Sequence, residues 1–165
     1  MNNQLFLQHI YPLRDKMYRF ALRITGNVQE AEDVVQEVME RLWKQQPEQS
    51  HTVQNWEAWC MTMTRNRSLD KNRRKPSSPI EGVPEPAHTD SPAAYAEKGD
   101  MVAHIRRLIQ LLPEKQRLVI HLRDLEDMTY DDIARTLDIS LEQVKINLYR
   151  ARRALRQHLL TLVEL

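Results

Sequence analysis

The sequence lacks the features of a secreted or membrane-embedded protein. Cys60 is the only cysteine among 165 residues, so neither an intrachain disulfide nor a cysteine-based zinc site is possible, which fits a reducing compartment. No apolar run approaches the roughly 18 residues that a membrane-spanning helix needs, and no apolar segment follows a basic start at the N-terminus. We therefore expect a cytoplasmic protein without membrane insertion.

The sequence also lacks the signals of β-structure and of catalysis. It shows no sustained polar–apolar alternation and no Asn-Gly or Asp-Gly turn, so the predicted fold class is all-α. No glycine-rich phosphate loop, His/Asp/Glu metal cluster or nucleophile constellation is present. An enzyme that acts on nucleic acid is therefore the least favoured class of function, and we expect neither a metal nor a cofactor.

Proline and charge are unevenly distributed along the chain. Residues 75–97 contain five of the eight prolines. Lys and Arg outnumber Asp and Glu by 12 to 9 in residues 1–76 and by 12 to 10 in residues 98–165, whereas residues 77–97 carry four acids and no Lys or Arg. Such a composition is typical of an extended or disordered segment. We predict two small helical domains, 1–76 and 98–165, joined by a flexible linker, 77–97.

The most informative segment is the basic stretch SLEQVKINLYRARRALRQHL, residues 140–159. Ser140, followed three residues later by Gln143, forms a capping box, so we expect a helix to begin at Leu141. At about 100° per residue the apolar side chains fall on one narrow stripe, as in a helix that packs on a core. The stripe consists of Val144, Leu148, Ala151, Leu155 and Leu159.

A shorter helix is predicted just before this one. Thr129 and Asp132 give its start signal, and two residues separate its end from Ser140. Such a connection is typical of a helix-turn-helix, in which helix 141–157 would lie in the DNA major groove. A cationic helix face is also common on ordinary solvated surfaces, but the paired caps, the tight turn and the acid-free run 143–158 favour DNA binding.

The side of this helix opposite the apolar stripe carries the candidate DNA contacts. An exposed Ile146 is unfavourable in water, and a thymine methyl in the major groove would be a natural partner for it. Side chains near the N-terminus of a recognition helix approach the bases, whereas those further along meet phosphate. The outward candidates are Lys145, Ile146, Tyr149, Arg150, Arg153 and Arg156.

The first domain contains a predicted acidic helix that Asn27 opens. Its inner stripe is predicted to be Val28, Ala31, Val35, Val38 and Leu42. The outer side carries Glu30, Asp33, Glu37 and Glu40, with Gln36 beside them. A solvated acidic face is the ordinary interpretation, but such a helix in a DNA-binding protein also suits docking of another protein, because it repels phosphate.

A second helix of this domain is predicted over residues 55–75, and its character changes halfway. Its first half places Cys60 and Met63 toward the core and Met61 away from it, whereas residues 65–75 carry six basic side chains and one acid. Trp56, at the helix start, could pack internally or stack on an unpaired base. The sequence leaves both possibilities open for this tryptophan.

Three stretches, in this order, resemble regions 2 and 4 of a bacterial RNA polymerase sigma factor. They are EAEDVVQEVMERLW (30–43), WEAWCMTMTRNRSLDKNRR (56–74) and LPEKQRLVIHLRDLEDMTYDDIARTLDISLEQVKINLYRARRAL (112–155). Because no long segment separates them, the chain is similar to the small extracytoplasmic-function (ECF) group of the sigma-70 family. The resemblance implies a subunit that binds core RNA polymerase, brings it to promoter DNA and opens the DNA there.

The resemblance also implies roles for individual residues. The acidic helix would dock on the coiled coil of the polymerase's largest subunit, through Asp33, Gln36, Glu37 and Glu40. Helix 55–75 is similar to the one that reads and melts the minus-10 element, with Trp56, Arg65, Asn66, Arg73 and Arg74 as candidates. The helix pair 130–156 is similar to the minus-35 reader, and Asn147 joins the candidates of its second helix.

One departure from the family and one rival function remain open at this stage. Ile146 and Asn147 stand where many family members carry a small polar residue and a basic one, so the usual base preference does not carry over. The main rival is a two-domain helix-turn-helix regulator that binds an operator without core polymerase. A regulator would footprint DNA alone, whereas a sigma factor would need the polymerase; such factors often have an anti-sigma partner as well.

Overall fold

The computed structural model describes residues 3–45, 55–74 and 98–163, and every regular element in these ranges is helical. The chain divides into two compact units, the first mainly N-terminal and the second mainly C-terminal. The N-terminal unit contains α1 (Asn3–Leu5), a π-helix (Phe6–Ile10), a 3-10 turn (Tyr11–Leu13), α2 (Arg14–Thr25), α3 (Val28–Lys44) and α4 (Trp56–Arg73). The C-terminal unit contains α5 (Lys98–Leu111), α6 (Glu114–Ile120), a π-helix (His121–Leu125), α7 (Tyr130–Leu137) and α8 (Leu141–Val163).

This architecture confirms the predicted all-α class with two helical regions. The predicted linker, 77–97, lies outside the described residues, and the domain limits 1–76 and 98–165 remain predictions. Within the described ranges, no helix combines the length and the apolar character needed to cross a membrane.

Helices α2, α3 and α4 pack against one another around one apolar core. α2 ends at Gly26, whose φ of 66° is left-handed and whose N–H donates to Leu22 O at 2.8 Å, a C-cap that favours glycine. Asn27 then caps α3, because its Oδ1 accepts from Glu30 N at 3.0 Å. The largest buried side chains of this core are Ile10, Met17, Phe20, Val34, Leu42 and Met61.

The packing of α3 and α4 differs in detail from the prediction. Val28 is exposed, whereas Val34, which the predicted stripe omits, is fully buried. The prediction for the two methionines is also wrong, because Met61 is fully buried and Met63 only partly so. On α4 the buried side also includes small and polar residues, so apolar spacing gave little guidance there; its buried residues are Ala58, Cys60, Met61, Thr64 and Ser68.

Polar contacts join α2 to α4 at two points. Lys16 Nζ lies 2.8 Å from Glu57 Oε1, and Asn72 Nδ2 donates to Ile24 O at 2.8 Å. The second contact uses one of the last carbonyl groups of α2, which has no partner within its own helix. Both contacts fix the angle at which α4 crosses the bundle.

A third polar contact, between α3 and α4, centres on Glu37. Its carboxylate accepts from Arg67 Nε and from Lys71 Nζ, the latter at 3.3 Å. The hydrogen bond from Arg67, reinforced by Lys71, holds the pKa of the Glu37 carboxyl below its ordinary value of 4.5, although partial burial acts in the opposite direction.

The C-terminal unit is built from α5, α6, α7 and α8. α8 packs on α6 and on α5, and α6 continues directly into the π-helix. The core that these helices share is mainly aliphatic, but polar side chains are also buried there, namely His121, Glu126, Thr136 and Asn147. Its fully or nearly fully buried members include Leu118, Val119, Leu122, Met128, Ile133, Val144 and Leu148.

The turn between α7 and α8 confirms the predicted helix-turn-helix geometry. α7 ends with Asp138 in the left-handed region at φ 53°. Asp138 N donates to Arg135 O at 3.4 Å and Ile139 N to Ala134 O at 3.1 Å, the pair of bonds that defines a Schellman motif. Ser140 then caps α8 by accepting from Gln143 N at 3.1 Å. The predicted cap at Thr129 is also present, because its Oγ1 accepts from Asp132 N at 3.1 Å.

Glu37→Gln should lower the melting temperature by a few degrees at about pH 7, because a partly exposed ion pair contributes modestly to stability. The carboxylate's contribution is present above the ordinary pKa of 4.5 and is lost as the pH falls through the lower pKa of the folded state. The difference between wild type and variant should therefore close on acidification. Melting curves by circular dichroism at about pH 7 and about pH 3 test this, and a difference that persists at acid pH would contradict it.

Cys60 should react with a thiol reagent only when the N-terminal unit opens. It is fully buried, and burial, together with nearby Glu57, raises the pKa of its thiol to about 12, so almost no thiolate forms at neutral pH. Labelling by Ellman's reagent should be slow in buffer and complete in denaturant. Rapid stoichiometric labelling of the native protein would contradict this packing.

Candidate nucleic-acid and partner interfaces

The outward face of α8 brings five of the seven minus-35 candidates together. Burial of the apolar stripe turns the opposite side of the helix to solvent, where Ile146 is 42% exposed. An open, shallow concavity is lined by Lys145, Ile146, Tyr149, Arg150 and Arg153. Gln116 of α6 contributes to the same concavity. It was not among the predicted residues, because the periodicity of α8 gives no information about a side chain on another helix.

Arg156 lies away from this concavity, although it is exposed as predicted. It lines a second and more apolar surface, next to Leu155 and Leu159 of the same helix. Its neighbour Arg152 forms a two-point ion pair with Asp124, with Nη2 at 2.6 Å from Oδ1 and Nε at 3.0 Å from Oδ2. These hydrogen bonds raise the pKa of the Arg152 guanidinium. Arg152 therefore serves the packing of its own unit.

Asn147 does not belong to the DNA-facing set. It is only 6% exposed, and its Nδ2 donates to Gln143 O at 2.8 Å and lies 3.3 Å from Gln143 Oε1. A side chain that is buried and bonded within its own helix is poorly placed to reach a base edge. The buried side of α8 is wider than its apolar stripe, and this burial argues against the predicted DNA contact of Asn147.

Three of the four polymerase-docking candidates form a row on α3. Asp33, Gln36 and Glu40 are all exposed and lie at helical spacing on the side opposite the core. Trp43 follows Glu40 on the same side, is 45% exposed, and meets the ring of Phe6 edge-on with centroids 5.1 Å apart. The sequence analysis missed Trp43, although a large aromatic beside an acidic row is a common interface anchor.

Glu37 differs from this row. It lies at the boundary between the outer face of α3 and α4, where Arg67 and Lys71 bind its carboxylate. Its side chain is 40% exposed, but unlike Asp33 and Glu40 it is engaged by two cations of α4. Any partner that binds Glu37 must compete with two cations of the protein itself.

The minus-10 candidates Arg65, Asn66, Arg73 and Arg74 lie on the C-terminal half of α4. Arg65 Nη1 donates to Asn66 Oδ1 at 3.2 Å. Arg73 and Arg74 are exposed where the helix ends, and Arg73 Nη1 lies 3.7 Å from Asp70 Oδ1. The three arginines among these candidates thus lie in the same half of α4 or at its end, which suits contact with a nucleic-acid backbone.

Trp56 stands apart at the opposite end of α4. Its ring is partly exposed and stacks on His9, with centroids 5.3 Å apart and planes 7° from parallel. Trp59 contacts it at 5.8 Å. Internal packing therefore occupies one face of Trp56, so a base would have to stack on the other.

Among the residues that the structure describes, no group of three or more His, Cys, Asp or Glu is placed to hold a metal ion.

Comparison with known proteins assigns both units to one family. The family model for sigma-70 region 2 matches residues 10–77, and the one for sigma-70 region 4 matches residues 104–155. The helix bundle α2–α4 lies within the first match, and the helix-turn-helix lies within the second except for the end of α8.

The similar sequences come from distant bacteria. ECF RNA polymerase sigma factor SigL of Mycobacterium tuberculosis is 33% identical over 155 residues, which cover 90% of this chain and 84% of that protein. SigW of Bacillus subtilis is 29% identical, over 88% of this chain and 84% of its own length. SigE of Mycolicibacterium smegmatis is 30% identical over 95% of this chain, which spans only 61% of that longer protein.

Two solved structures share the fold. The sigma factor RpoE of Bartonella quintana, in complex with the anti-sigma factor NepR, gives a TM-score of 0.71 at 22% identity and covers 94% of this chain and 97% of its own. CnrH, in complex with the cytosolic domain of CnrY, gives 0.70 at 19% identity over 96% and 89%. The chain belongs to the sigma-70 family of bacterial transcription initiation factors, in its extracytoplasmic-function group.

Proposed function

We propose that this chain binds core RNA polymerase and directs it to promoters, reading the minus-35 element with α8 and the minus-10 element with α4. The observation that carries the proposal is the outward face of α8, where cations, a tyrosine and an exposed isoleucine line one open concavity on the second helix of a helix-turn-helix. Family membership favours this function over an operator-binding regulator and over an enzyme. Because its proposed partners are the chromosome and RNA polymerase, we propose that it acts in the bacterial cytoplasm.

At the minus-35 element, Lys145, Ile146 and Tyr149 are the proposed base readers, because they lie nearest the N-terminus of α8 among the outward candidates. Arg150, Arg153 and Arg156 are proposed phosphate contacts, because they lie further along the helix. Asn147 is excluded by its burial. Ile146 is proposed to contact a thymine methyl, the apolar group that the major groove offers.

At the minus-10 element, the basic half of α4 suits contact with the backbone of a strand that has left the duplex, and the aromatic rings at the other end of the helix suit stacking of its bases. We propose Arg65, Asn66, Arg73 and Arg74 as contacts to this strand. Trp56 is proposed as a stacking platform through the ring face that His9 does not cover.

For polymerase docking, we propose the row Asp33, Gln36 and Glu40, extended by Trp43, on the coiled coil of the polymerase's largest subunit. An acidic row with one exposed aromatic offers both charge complementarity and an apolar anchor. The sigma factor RpoE of Bartonella quintana was solved with an anti-sigma factor, and we propose that a protein of this kind also restrains the present chain.

Asp33→Lys and Glu40→Lys should each weaken binding to purified core polymerase by at least about tenfold, because each places a cation where an acid meets the partner. Both side chains are exposed, so the melting temperature should stay the same. Asp15→Lys is the control, since it reverses an exposed acid of α2, outside the helix that carries the row. Fluorescence titration of labelled protein with core polymerase measures the affinity, and equal loss in all three variants would contradict the docking row.

Ile146→Ala should cost about 1 kcal/mol of promoter affinity, an allowance for about one buried methyl, and only where the minus-35 element offers a thymine methyl. Uracil in place of that thymine should reproduce the loss, and the two changes together should not add. Arg153→Ala is the contrasting variant, expected to weaken all promoters alike and to reduce the salt slope by about one unit.

The measurement is DNA binding across a minus-35 library, by the chain alone and by the holoenzyme that it forms with core polymerase. Uniform weakening by Ile146→Ala would show that the isoleucine is not a reader. A footprint by the chain alone, equal to that of the holoenzyme, would favour the regulator instead.

A further inference from the structure

The cluster of Arg67, Glu37 and Lys71 lies between the helix proposed for docking and the helix proposed for the minus-10 element. One carboxylate faces two cations, so the cluster retains a net positive charge. None of the three is sealed from water: the side chains are 29% exposed for Arg67, 18% for Lys71 and 40% for Glu37. An external anion can therefore approach the two cations without unfolding of the unit.

The position of the two cations on α4 gives this residual charge a direction. Arg67, Lys71 and Arg74 are spaced by four and three residues, so they form one row along the helix. Arg74, at the exposed end of the row, is a proposed DNA contact. A phosphate backbone that meets Arg74 is therefore within one or two helical turns of Lys71 and Arg67.

We propose that Arg67 and Lys71 form a further phosphate-binding site for promoter DNA, and that Glu37 keeps this site partly neutralised in the free protein. The inference rests on the proposed function, because it extends the minus-10 surface of α4. Neither residue stood out in the sequence, because sequence alone does not show which of the six basic residues between 65 and 75 are paired internally.

The arrangement couples DNA binding to whatever else binds Glu37. A partner bound to α3 could carry a cationic group that pairs with Glu37. Arg67 and Lys71 would then lose their carboxylate partner and would attract phosphate more strongly. By thermodynamic linkage, DNA that engages the two cations would make Glu37 more available to that partner by the same factor.

The test compares Glu37→Gln with Glu32→Gln in the full-length chain. Both variants remove one negative charge from α3, but Glu32 is an exposed residue outside the cluster. Binding of a short fluorescein-labelled single strand of mixed sequence is followed by anisotropy over a range of salt, starting at low salt, where phosphate contacts are strongest.

Glu37→Gln should bind the strand roughly two- to fivefold more tightly than wild type, the range that corresponds to one partly exposed ion pair. Its salt slope should steepen by up to about 0.7, the value for one added phosphate contact to a single strand. Glu32→Gln should leave both quantities nearly unchanged.

A combined variant separates the new site from a general charge effect. In an Arg67→Gln/Lys71→Gln background, Glu37→Gln should give no gain, because the cations that it releases are absent. The proposal is overturned if Glu37→Gln lowers the melting temperature without tightening DNA binding, since Glu37 then only braces α3 against α4. An equal gain in Glu32→Gln, or a gain that survives in the combined background, overturns it as well.

The proposed function fails by a different result. If wild-type chain gives no polymerase-dependent promoter binding, the sigma assignment of the surfaces is wrong whatever the Glu37 variants do. If the wild type initiates normally and the Glu37 variants bind the strand like wild type, only the additional phosphate site is rejected.

Discussion

The burial of one side of α8 determines what the rest of the C-terminal unit can do. Val144, Leu148 and Ala151 anchor the helix in the core, and because an α-helix turns by about 100° per residue, this anchoring fixes which side chains face outward. The Schellman turn at Asp138 and the cap at Ser140 set where the helix begins. The reading surface is thus a direct geometric result of core packing, and a change in the core would rotate every proposed DNA contact together.

The uneven distribution of acids and bases explains how a chain with a formal charge of only +1 can present strongly cationic surfaces. Asp124 engages Arg152, Glu57 engages Lys16, and Glu37 engages two cations at once. These pairs lie at the edges where helices meet, whereas the centre of the outer face of α8 carries cations without an acid among them. Net charge is therefore a poor guide to this molecule, and the distribution of partners is the informative quantity.

The elements with a strong local signal could be predicted from the sequence. The caps at Asn27, Thr129 and Ser140 each rest on one side-chain acceptor placed three residues before its donor, and all three hydrogen bonds are present. The errors concern which side of a helix is buried. Met61, predicted to point away from the core, and Asn147, predicted to face DNA, are both buried. Which side of a helix is buried depends on how the other helices pack against it. The periodicity of a single helix carries no information about that packing.

The internal bond of Asn147 has a consequence for how promoters are assigned to relatives of this chain. A residue-by-residue transfer of base contacts from other sigma factors would give this position a base to recognise. Here the amide closes onto Gln143 inside the helix, and the side chain is 6% exposed. A promoter forecast for this chain therefore needs the orientation of each side chain on α8 in addition to its position in the sequence.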